Sequence, residues 1–564
     1  MENKNVFIAI ALSMSVLLFW SAFVDPPQPT EKQNQKVLNS QPQNRITDDG
    51  IVPSIDGTVV KKNISRKDSL IKTKRILLEN QKIKGSISLE GAIIDDLSFK
   101  NYKVDIKSTD IVQFLNPKET KNGYFAESGW ASIGNKIKVP TSESVWSVIG
   151  NKFLSVNNPV TLEWNNGSNL IFRKKIEIDD NYLFKINQEV KNNSSEQVEL
   201  YPYAQLSRKN IPEDLKGFYI LHEGFIAVLD DELKEDDYDD IEEKKVVREA
   251  NKGWIGITDK YWMTALIPES GEKFKSTFLY QNSYKANFLL TNPKIIAPNT
   301  KINNEIKIFV AAKEVQTIDA YAEKENIEKL DLIIDWGWFY FFTKPLFFAV
   351  DYLFKLTGNF GIAIVLITIM IRLVFFPLAN YSFKSMAKMK ALQPEMTRLK
   401  DLYKDDKTKL QQAMMSLYKK EQINPASGCL PVLIQIPFFF AIYKMLFISL
   451  EMRHQPFFGW IKDLSASDPT TIFNLFGLLP FTPPSFLIIG IWPILMGLTM
   501  FIQQKLNPAP TDPIQAKIFM FFPIFLTVIL ASFPSGLVVY WTVNNILTIA
   551  QQWFIMKRTT VKTN

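Results

Sequence analysis

Three hydrophobic patterns follow one another along this chain of 564 residues. An apolar run at residues 5–24 predicts a membrane helix, because about 20 apolar residues cross a bilayer as a helix. From about residue 54 to residue 315, apolar and polar residues alternate with a period of two, which predicts β-strands. Long apolar runs return after residue 336. The pattern predicts an N-terminal anchor, a β domain and a helical membrane part.

The first 24 residues are interpreted as an uncleaved signal anchor. The run lacks a small-x-small cleavage pattern, and no cysteine near its end indicates a lipoprotein signal. Residues 25–53 are rich in Pro, Gln and Asn and contain too few apolar residues to pack. They are predicted to form a disordered linker.

Residues 54–330 are predicted to form one large antiparallel β-sandwich. Short alternating segments are separated by Gly, Asn and Asp turn signals. The clearest hairpin joins residues 172–178 to residues 183–190 through the turn at 179–181.

The rest of the chain predicts a polytopic α-helical membrane protein. With the anchor, six transmembrane helices are expected, and five of them form a core at residues 358–556, in the apolar runs 360–379, 430–450, 485–504, 514–532 and 536–556. Residues 331–357 are aromatic, but Lys344, Pro345 and Asp351 interrupt them. An interfacial helix is the better interpretation of this segment.

Charge between the spans predicts the topology. The loop 380–428 carries ten Lys or Arg against five acids, whereas residues 451–484 carry two against three. Because positive loops stay in the cytoplasm, the first loop, the basic tail 557–564 and both termini are expected inside. Residues 25–357 are then expected outside.

Composition excludes several classes of function. The net charge of +7 is explained by these loops, so no nucleic-acid binding is expected. The two histidines are far apart, and neither a metal-ligand spacing nor a nucleophilic triad is found. The single cysteine, Cys429, excludes an intramolecular disulfide, and no phosphate-binding loop is present. No catalytic residue, metal or cofactor is predicted.

Arg372 is the one charged residue in the run 360–379. A lone arginine at the centre of a membrane helix costs about 3 kcal/mol on insertion scales, so its side chain should face a protected polar space. The alternative is that it snorkels to the cytoplasmic surface.

Other polar residues of the spans fall between mid-membrane and the cytoplasmic side. They are Thr368, Gln435, Gln503, Gln504, Lys517, Asn544, Asn545, Thr548, Gln551 and Gln552. This asymmetry predicts a wet cavity open to the cytoplasm, and hydrogen bonding between helices is the alternative for the asparagines and Gln435. Lys444 lies near the outer end of its span and is expected to snorkel outward.

The cytoplasmic loop predicts a helical hairpin. Its apolar residues recur at spacings of three and four, Asp406 is a candidate N-cap, and residues 424–425 are a stop signal. Several of the apolar positions are methionines, namely Met386, Met389, Met396 and Met414. They offer an adaptable surface for varied hydrophobic segments, or they pack the two helices together.

Four strings resemble one protein family. They are GWIGITDKYWMTALIP at 253–268, KSMAKMKALQPEMTRLK at 384–400, NPASGCLPVLIQIPFFFAIYKML at 424–446 and FPSGLVVYWTVNNILTIAQQ at 533–552. They closely resemble the Oxa/YidC/Alb family of membrane protein insertases, in the Gram-negative form with a large periplasmic domain. The resemblance extends over nearly the whole chain.

The resemblance implies an insertase and chaperone of the bacterial inner membrane, working alone or beside the Sec translocon. Its partners would be nascent membrane proteins and lipids, with the ribosome or the signal recognition particle receptor also possible partners. It implies a hydrophilic groove around Arg372 and Thr368, to which the polar pattern adds Gln435, Asn544 and Asn545. Trp541 is expected as an aromatic contact of the same groove, at the place of a family tyrosine. It also implies a greasy substrate slide at Ile436, Pro437, Phe439 and Ile529, and a receiving hairpin at 384–422.

Two departures from the family pattern limit the resemblance. Relatives often have paired tyrosines on the last span, whereas this chain has Tyr540 followed by Trp541, which puts a hydroxyl-dependent role at 541 in doubt. The short C-terminal tail argues against strong ribosome tethering.

Two rival functions remain. A secondary transporter or channel also needs an intramembrane arginine, but no convincing internal repeat is found among the five spans. A membrane-bound carbohydrate enzyme is the third hypothesis, because the family's β domain resembles sugar-binding sandwiches. No catalytic acid and base pair can be nominated for it.

Overall fold

The computed structural model describes residues 64–559, except 136, 213–214, 216–220, 405, 425–429, 478, 480, 482, 485–487 and 509–512. The predicted anchor at 1–24 and the predicted linker at 25–53 lie outside the described residues, as does Cys429.

Alternating sequence becomes two β-sheets, so the all-β prediction for this part is confirmed. An eleven-stranded sheet has the order β14-β17-β18-β11-β5-β3-β2-β1-β7, with β19 on β11 and β4 on β3, and a nine-stranded sheet has the order β13-β12-β15-β16-β20-β10-β9-β8-β6. The strands are β1 Arg75–Glu79, β2 Ile83–Ser88, β3 Ile93–Lys103, β4 Ile111–Leu115, β5 Tyr124–Ala131, β6 Ser147–Ile149, β7 Phe153–Leu154, β8 Val160–Asn165, β9 Leu170–Ile178, β10 Leu183–Asn192, β11 Val198–Arg208, β12 Gly224–Leu229, β13 Glu232–Asp236, β14 Val246–Ala250, β15 Gly253–Thr258, β16 Trp262–Ile267, β17 Phe274–Tyr280, β18 Tyr284–Leu290, β19 Lys294–Ile296 and β20 Lys301–Ala312.

The predicted hairpin is confirmed as β9 and β10, which pair antiparallel with Phe184 opposite Ile178. Asp179 closes the turn, since its Oδ1 accepts the backbone N–H groups of Asn181 and Leu183 at 3.0 Å each. Side chains of β9 alternate between buried and more exposed positions, as a half-buried strand requires. The pairing of β1 with β7 is parallel, whereas the other strand pairs named above are antiparallel.

Helices occupy most of the chain after β20. Two short helices belong to the β domain, and ten follow it within the described residues. They are α1 Arg66–Lys72, α2 Tyr238–Glu243, α3 Val315–Lys324, α4 Tyr340–Thr357, α5 Phe360–Val374, α6 Phe376–Ala391, α7 Gln393–Leu402, α8 Lys407–Lys420, α9 Leu430–Ile448, α10 Ile491–Leu506, α11 Pro513–Leu530 and α12 Ser535–Arg558.

Two expected helices are broken by proline. The sequence predicts a continuous span at 360–379, but α5 ends at Val374 and α6 leaves it at 67°. Pro377 stands in the first turn of α6, where a proline is tolerated, whereas inside a continuous helix its ring would clash with the preceding turn. Pro394 likewise opens α7, so the first arm of the hairpin is two helices rather than one.

By length and hydropathy, no single helix within the described residues meets the requirement for crossing a bilayer. The bent pair α5 and α6 meets it as a unit.

The last helix, α12, is the centre of the helical part. It packs against α5, α6, α9 and α10. Helix α4 packs against α5 and α9, and α11 packs chiefly on α10. Helices α9 and α11 therefore pack on different neighbours and not extensively on each other.

Ion pairs and hydrogen bonds join the β domain to one end of the helices. Lys444 of α9 does not simply reach outward to water, as the sequence predicts, but donates to Asp335 Oδ2 at 2.6 Å. An acidic partner lies within reach, and pairing lowers the cost of a partly buried ammonium. Lys344 of α4 pairs with Asp319 at 2.9 Å, and Glu451 after α9 accepts the Val315 N–H at 3.0 Å.

Glu451 makes this junction sensitive to pH. Burial of its carboxylate and, to a smaller extent, the nearby carboxylates of Glu314 and Asp351 raise the pKa of Glu451 from 4.5 to about 7. A raised carboxyl pKa means that the folded state binds the proton more tightly than the unfolded state does. The contribution of protonated Glu451 to the stability of the fold is therefore lost as the pH rises through 7.

Raising the pH from 6 to 8 should therefore destabilise the protein by roughly 1 kcal/mol through Glu451. Thermal unfolding in detergent measures this, with Glu451→Gln as the matched control because glutamine keeps the acceptor for Val315 and cannot ionise. The same pH dependence in the Gln variant would contradict the assignment to Glu451.

Candidate functional site

The guanidinium of Arg372 is held between α5 and α12 by neutral acceptors. Its Nε and Nη2 donate to Asn544 Oδ1 at 3.0 and 2.7 Å, and Nη2 also donates to Thr548 Oγ1 at 2.5 Å. Within the described part of the chain, no carboxylate pairs with Arg372. The site therefore keeps a full positive charge, half-buried and bound only by dipoles.

Local sequence explains this arrangement. Arg372 lies in the last turn of α5, where the helix dipole favours a cation, and α5 stops two residues later. Asn544 and Thr548 are four residues apart on α12, so their side chains share one face. The Thr548 hydroxyl also donates to the Asn544 carbonyl at 2.6 Å, which orients its oxygen toward Arg372.

Gln435 brings the third helix to the same point. Its Nε2 donates to Asn544 Oδ1 at 3.0 Å, so one amide oxygen accepts from both Arg372 and Gln435. Asn544 is the common acceptor of α5 and α9. Thr548 is a polar residue that the sequence does not assign to the groove. Its spacing of four from Asn544 is the signal that indicates a place beside Arg372.

Thr368, one turn before Arg372, is buried with 1% of its surface exposed. Its hydroxyl donates to the Ile364 carbonyl of its own helix at 2.6 Å. The structure thus places Thr368 in the packed interior next to the arginine rather than among the atoms that contact it.

The two consecutive asparagines of α12 have different partners. Asn545 is buried, and its Nδ2 donates to Thr499 Oγ1 of α10 at 3.2 Å. This bond matches the alternative of hydrogen bonding between helices. Asn544 points to the other side, toward Arg372.

Aromatic rings of α9 and α12 lie above the polar centre. The Phe439 ring is 4.7 Å from the Trp541 ring in an edge-on arrangement and 6.4 Å from the Tyr540 ring. Ile436, on the same helix, is exposed, and Pro437 is half-buried. Ile529 is half-buried on α11, so these predicted slide residues lie on two helices, α9 and α11.

The four hairpin methionines do not form one surface. Met386 is buried in a cluster with Ala379, Phe383 and Ile555 of α12, and Met396 lies 3.9 Å from the Tyr418 hydroxyl. Met389 and Met414 are half-buried. Packing therefore accounts for Met386 and Met396, whereas the neighbouring Met415, which the sequence did not single out, is exposed.

A polar centre inside helices with apolar outer faces is the pattern of an integral membrane protein. Helices α10 and α11 expose Leu498, Phe501, Ile518 and Ile524, while Arg372 and Asn544 face inward.

Comparisons with known proteins give the family. Residues 75–349 match the model of the YidC periplasmic domain, and residues 352–562 match the 60Kd inner membrane protein model. A membrane protein insertase YidC of Pelagibacter ubique is 54% identical over 100% of both chains, and one of Methylorubrum extorquens is 46% identical over 100% of this chain and 96% of its own. The chain belongs to the YidC family of membrane protein insertases.

A solved structure described as an active YidC insertase with its first transmembrane domain resolved is 18% identical and has a TM-score of 0.35. It covers 85% of this chain and 92% of its own. Membership of an insertase family removes the carbohydrate-enzyme hypothesis.

The bond between Asn545 and Thr499 should stabilise the contact of α12 with α10. We expect Asn545→Leu and Thr499→Val each to lower stability, with a coupling energy of about 0.6 kcal/mol in the double variant. Unfolding in mixed micelles of the wild type, both single variants and the double variant measures it. Strictly additive effects would show that the hydrogen bond contributes nothing.

Proposed function

We propose that this chain inserts nascent membrane proteins into the inner membrane through a polar groove centred on Arg372. The observation that carries the proposal is the uncompensated guanidinium, which is bound by Asn544 and Thr548 and by no described carboxylate. A cation in this state attracts acidic groups of a passing segment strongly, because the local dielectric is lower than in water.

The proposed topology has six spans, both termini in the cytoplasm and the β domain in the periplasm. The contacts of Lys444 with Asp335 and of Glu451 with Val315 support it, because they join the residues that follow β20 to the C-terminal end of α9. Arg453, close to the same end, donates to the Val104 carbonyl of the β domain at 3.0 Å. The basic hairpin, formed by α6, α7 and α8, connects at the opposite end, where Met386 of α6 packs on Ile555. Opposite ends of the bundle thus carry the β domain and the basic loop, in keeping with the positive-inside rule.

The groove shortens the apolar distance that a polar tail must cross. A substrate enters between α9 and α11, and its apolar helix slides along Ile436, Pro437, Phe439 and Ile529 while the tail follows Arg372, Gln435 and Asn544. Release is driven by burial of the substrate helix in lipid, since each buried methylene contributes about 0.8 kcal/mol. A span of about 20 apolar residues thereby offsets the transfer of a short polar tail.

The proposed partners rest on membership of the insertase family. Nascent chains, delivered by the ribosome or the signal recognition particle receptor, would meet the hairpin α7–α8, where Met415 is exposed. The outward faces of the spans would contact lipid, and this chain would work alone or beside the Sec translocon. Solute uptake by the reconstituted protein would instead favour the transporter hypothesis.

Arg372→Ala should reduce insertion of substrates with acidic translocated tails by about tenfold, which corresponds to about 1.4 kcal/mol of lost attraction. Arg372→Lys should retain much of the activity because the charge remains. Insertion of acidic-tail and neutral-tail substrates into proteoliposomes, scored by protease protection, measures this. Equal loss for both tails would overturn the charge-attraction step.

Asn544→Asp tests whether insertion needs the net charge of Arg372 or only the position of its guanidinium. The carboxylate keeps the Oδ1 acceptor for Arg372 but cancels the charge of the guanidinium, so thermal stability should be kept while insertion of acidic tails falls. Asn544→Ala is the control, because it removes the acceptor and leaves the charge. Full activity of the Asp variant, at normal expression, would contradict a role for net positive charge.

Photocrosslinking tests the slide. A stalled nascent membrane protein should crosslink from probes at Phe439 and Ile529. Phe440 is the matched control, since its ring turns away from α12 and stacks on Phe339 at 6.4 Å. Adducts at 440 with none at 439 or 529 would displace the proposed path.

A further inference from the structure

A second apolar surface lies far from Arg372 along the chain, between α9 and α10. We define the outer loop as Ile472–Gly477 together with Leu479 and Phe481. Six of its side chains are exposed by 40% to 54%, namely Ile472, Phe473, Leu475, Phe476, Leu479 and Phe481. The sequence from 469 to 504 contains no charged residue. An apolar patch of this kind on a surface marks an interaction site.

Asp468 fixes the base of the outer loop. It is 1% exposed, its Oδ1 accepts Trp460 Nε1 at 3.1 Å and the Thr470 hydroxyl at 2.7 Å, and its Oδ2 accepts the Trp492 N–H at 2.9 Å. Gly490 makes room for it, since a Cβ at 490 would lie 2.4 Å from Asp468 Cγ. The loop is therefore attached firmly to the start of α10.

The outer loop bonds its own backbone while its side chains point outward. The Phe476 N–H donates to the Thr471 carbonyl at 2.9 Å, and the Leu479 N–H donates to the Asn474 carbonyl at 3.0 Å. Asn474 Nδ2 donates to the Phe481 carbonyl at 3.4 Å. Internal bonding of these groups lowers the cost of leaving water.

Contacts of residues on the N-terminal side of the outer loop indicate where the loop lies relative to the ends of the helices. Residues just before it cross the ends of the helices, since Ser535 at the start of α12 donates its N–H to the Ala466 carbonyl at 2.7 Å. Arg453 reaches the Val104 carbonyl of the β domain at 3.0 Å. Helix α10 has 16 residues and is about 24 Å long, shorter than the roughly 30 Å of bilayer hydrocarbon. In the proposed topology, the outer loop thus lies where α10 begins, at the outer boundary of the membrane.

We propose that the outer loop is an interfacial anchor that inserts its apolar side chains among the lipids of the outer leaflet. This inference rests on the proposed topology. Lipid is the occupant because the patch carries no charge to select a protein partner and continues the exposed apolar face of α10, including Leu495 and Leu498. Aromatic and aliphatic side chains on an irregular backbone suit the boundary between headgroups and acyl chains.

An anchored loop fixes the depth of α10 in the membrane. Through Thr499 and Asn545, α10 holds α12, which carries Asn544. The anchor therefore sets the height at which the groove is held relative to the outer leaflet.

Spin labelling tests the anchor. In a Cys429→Ser background, Phe473→Cys or Phe481→Cys is labelled with a nitroxide, and the full chain is reconstituted into vesicles of phosphatidylethanolamine and phosphatidylglycerol. Collision with oxygen and with a water-soluble nickel chelate is measured. Ile524→Cys, on the exposed face of α11, is the lipid control, and Glu232→Cys, on the β domain, is the water control.

Both loop labels should be several-fold more accessible to oxygen than to nickel, as at 524. Nickel access equal to that at 232 overturns the anchor, and so does low access to both reagents, which indicates a protein cover. If the label at 524 is also nickel-accessible, the proposed membrane arrangement fails together with the anchor. Nickel access at 473 and 481 alone leaves the proposed function standing.

Discussion

Three helices of the helical part are joined at one amide oxygen, which accepts hydrogen bonds from two side chains. Asn544 Oδ1 accepts from Arg372 and from Gln435, so it joins α5, α9 and α12 at a single point. Neutral acceptors orient a guanidinium and leave its charge in place. A carboxylate would orient the guanidinium and also cancel its charge. The site is thereby positioned and still electrostatically active. This combination supports the proposed binding groove, because a structural ion pair would cancel the charge.

Much of the fold follows from local pattern. The alternation at 172–190 and the Asp179 turn give β9 and β10 because both signals act over a few residues. The pairing of β1 with β7 does not follow, since it joins segments separated by more than 70 residues and depends on the whole sheet. The helix breaks could be predicted only in part. Pro377 and Pro394 are visible in the sequence, but the apolar run around Pro377 and the spacing of three and four around Pro394 both favour a continuous helix.

The site shows the same division. Arg372 stands out as a charge in an apolar run, and the spacing of Asn544 and Thr548 predicts a shared face. The different partners of Asn544 and Asn545 could not be predicted, because adjacent residues on a helix diverge by about 100° and only the packing of α5 and α10 decides what each meets. Lys444 is similar, since its partner Asp335 is 109 residues away.

The bend at Phe375 has a consequence for the cytoplasmic surface. In the proposed topology α5 crosses the bilayer, and if it crosses close to the bilayer normal, the 67° turn lays α6 nearer to the membrane plane than to the normal. Lys384 and Lys388, which are exposed along α6, would then lie at the height of the lipid headgroups. Each such lysine gains about 1 kcal/mol from an anionic leaflet. In that topology, the phospholipid composition of the inner leaflet would help to hold the base of the hairpin against the membrane.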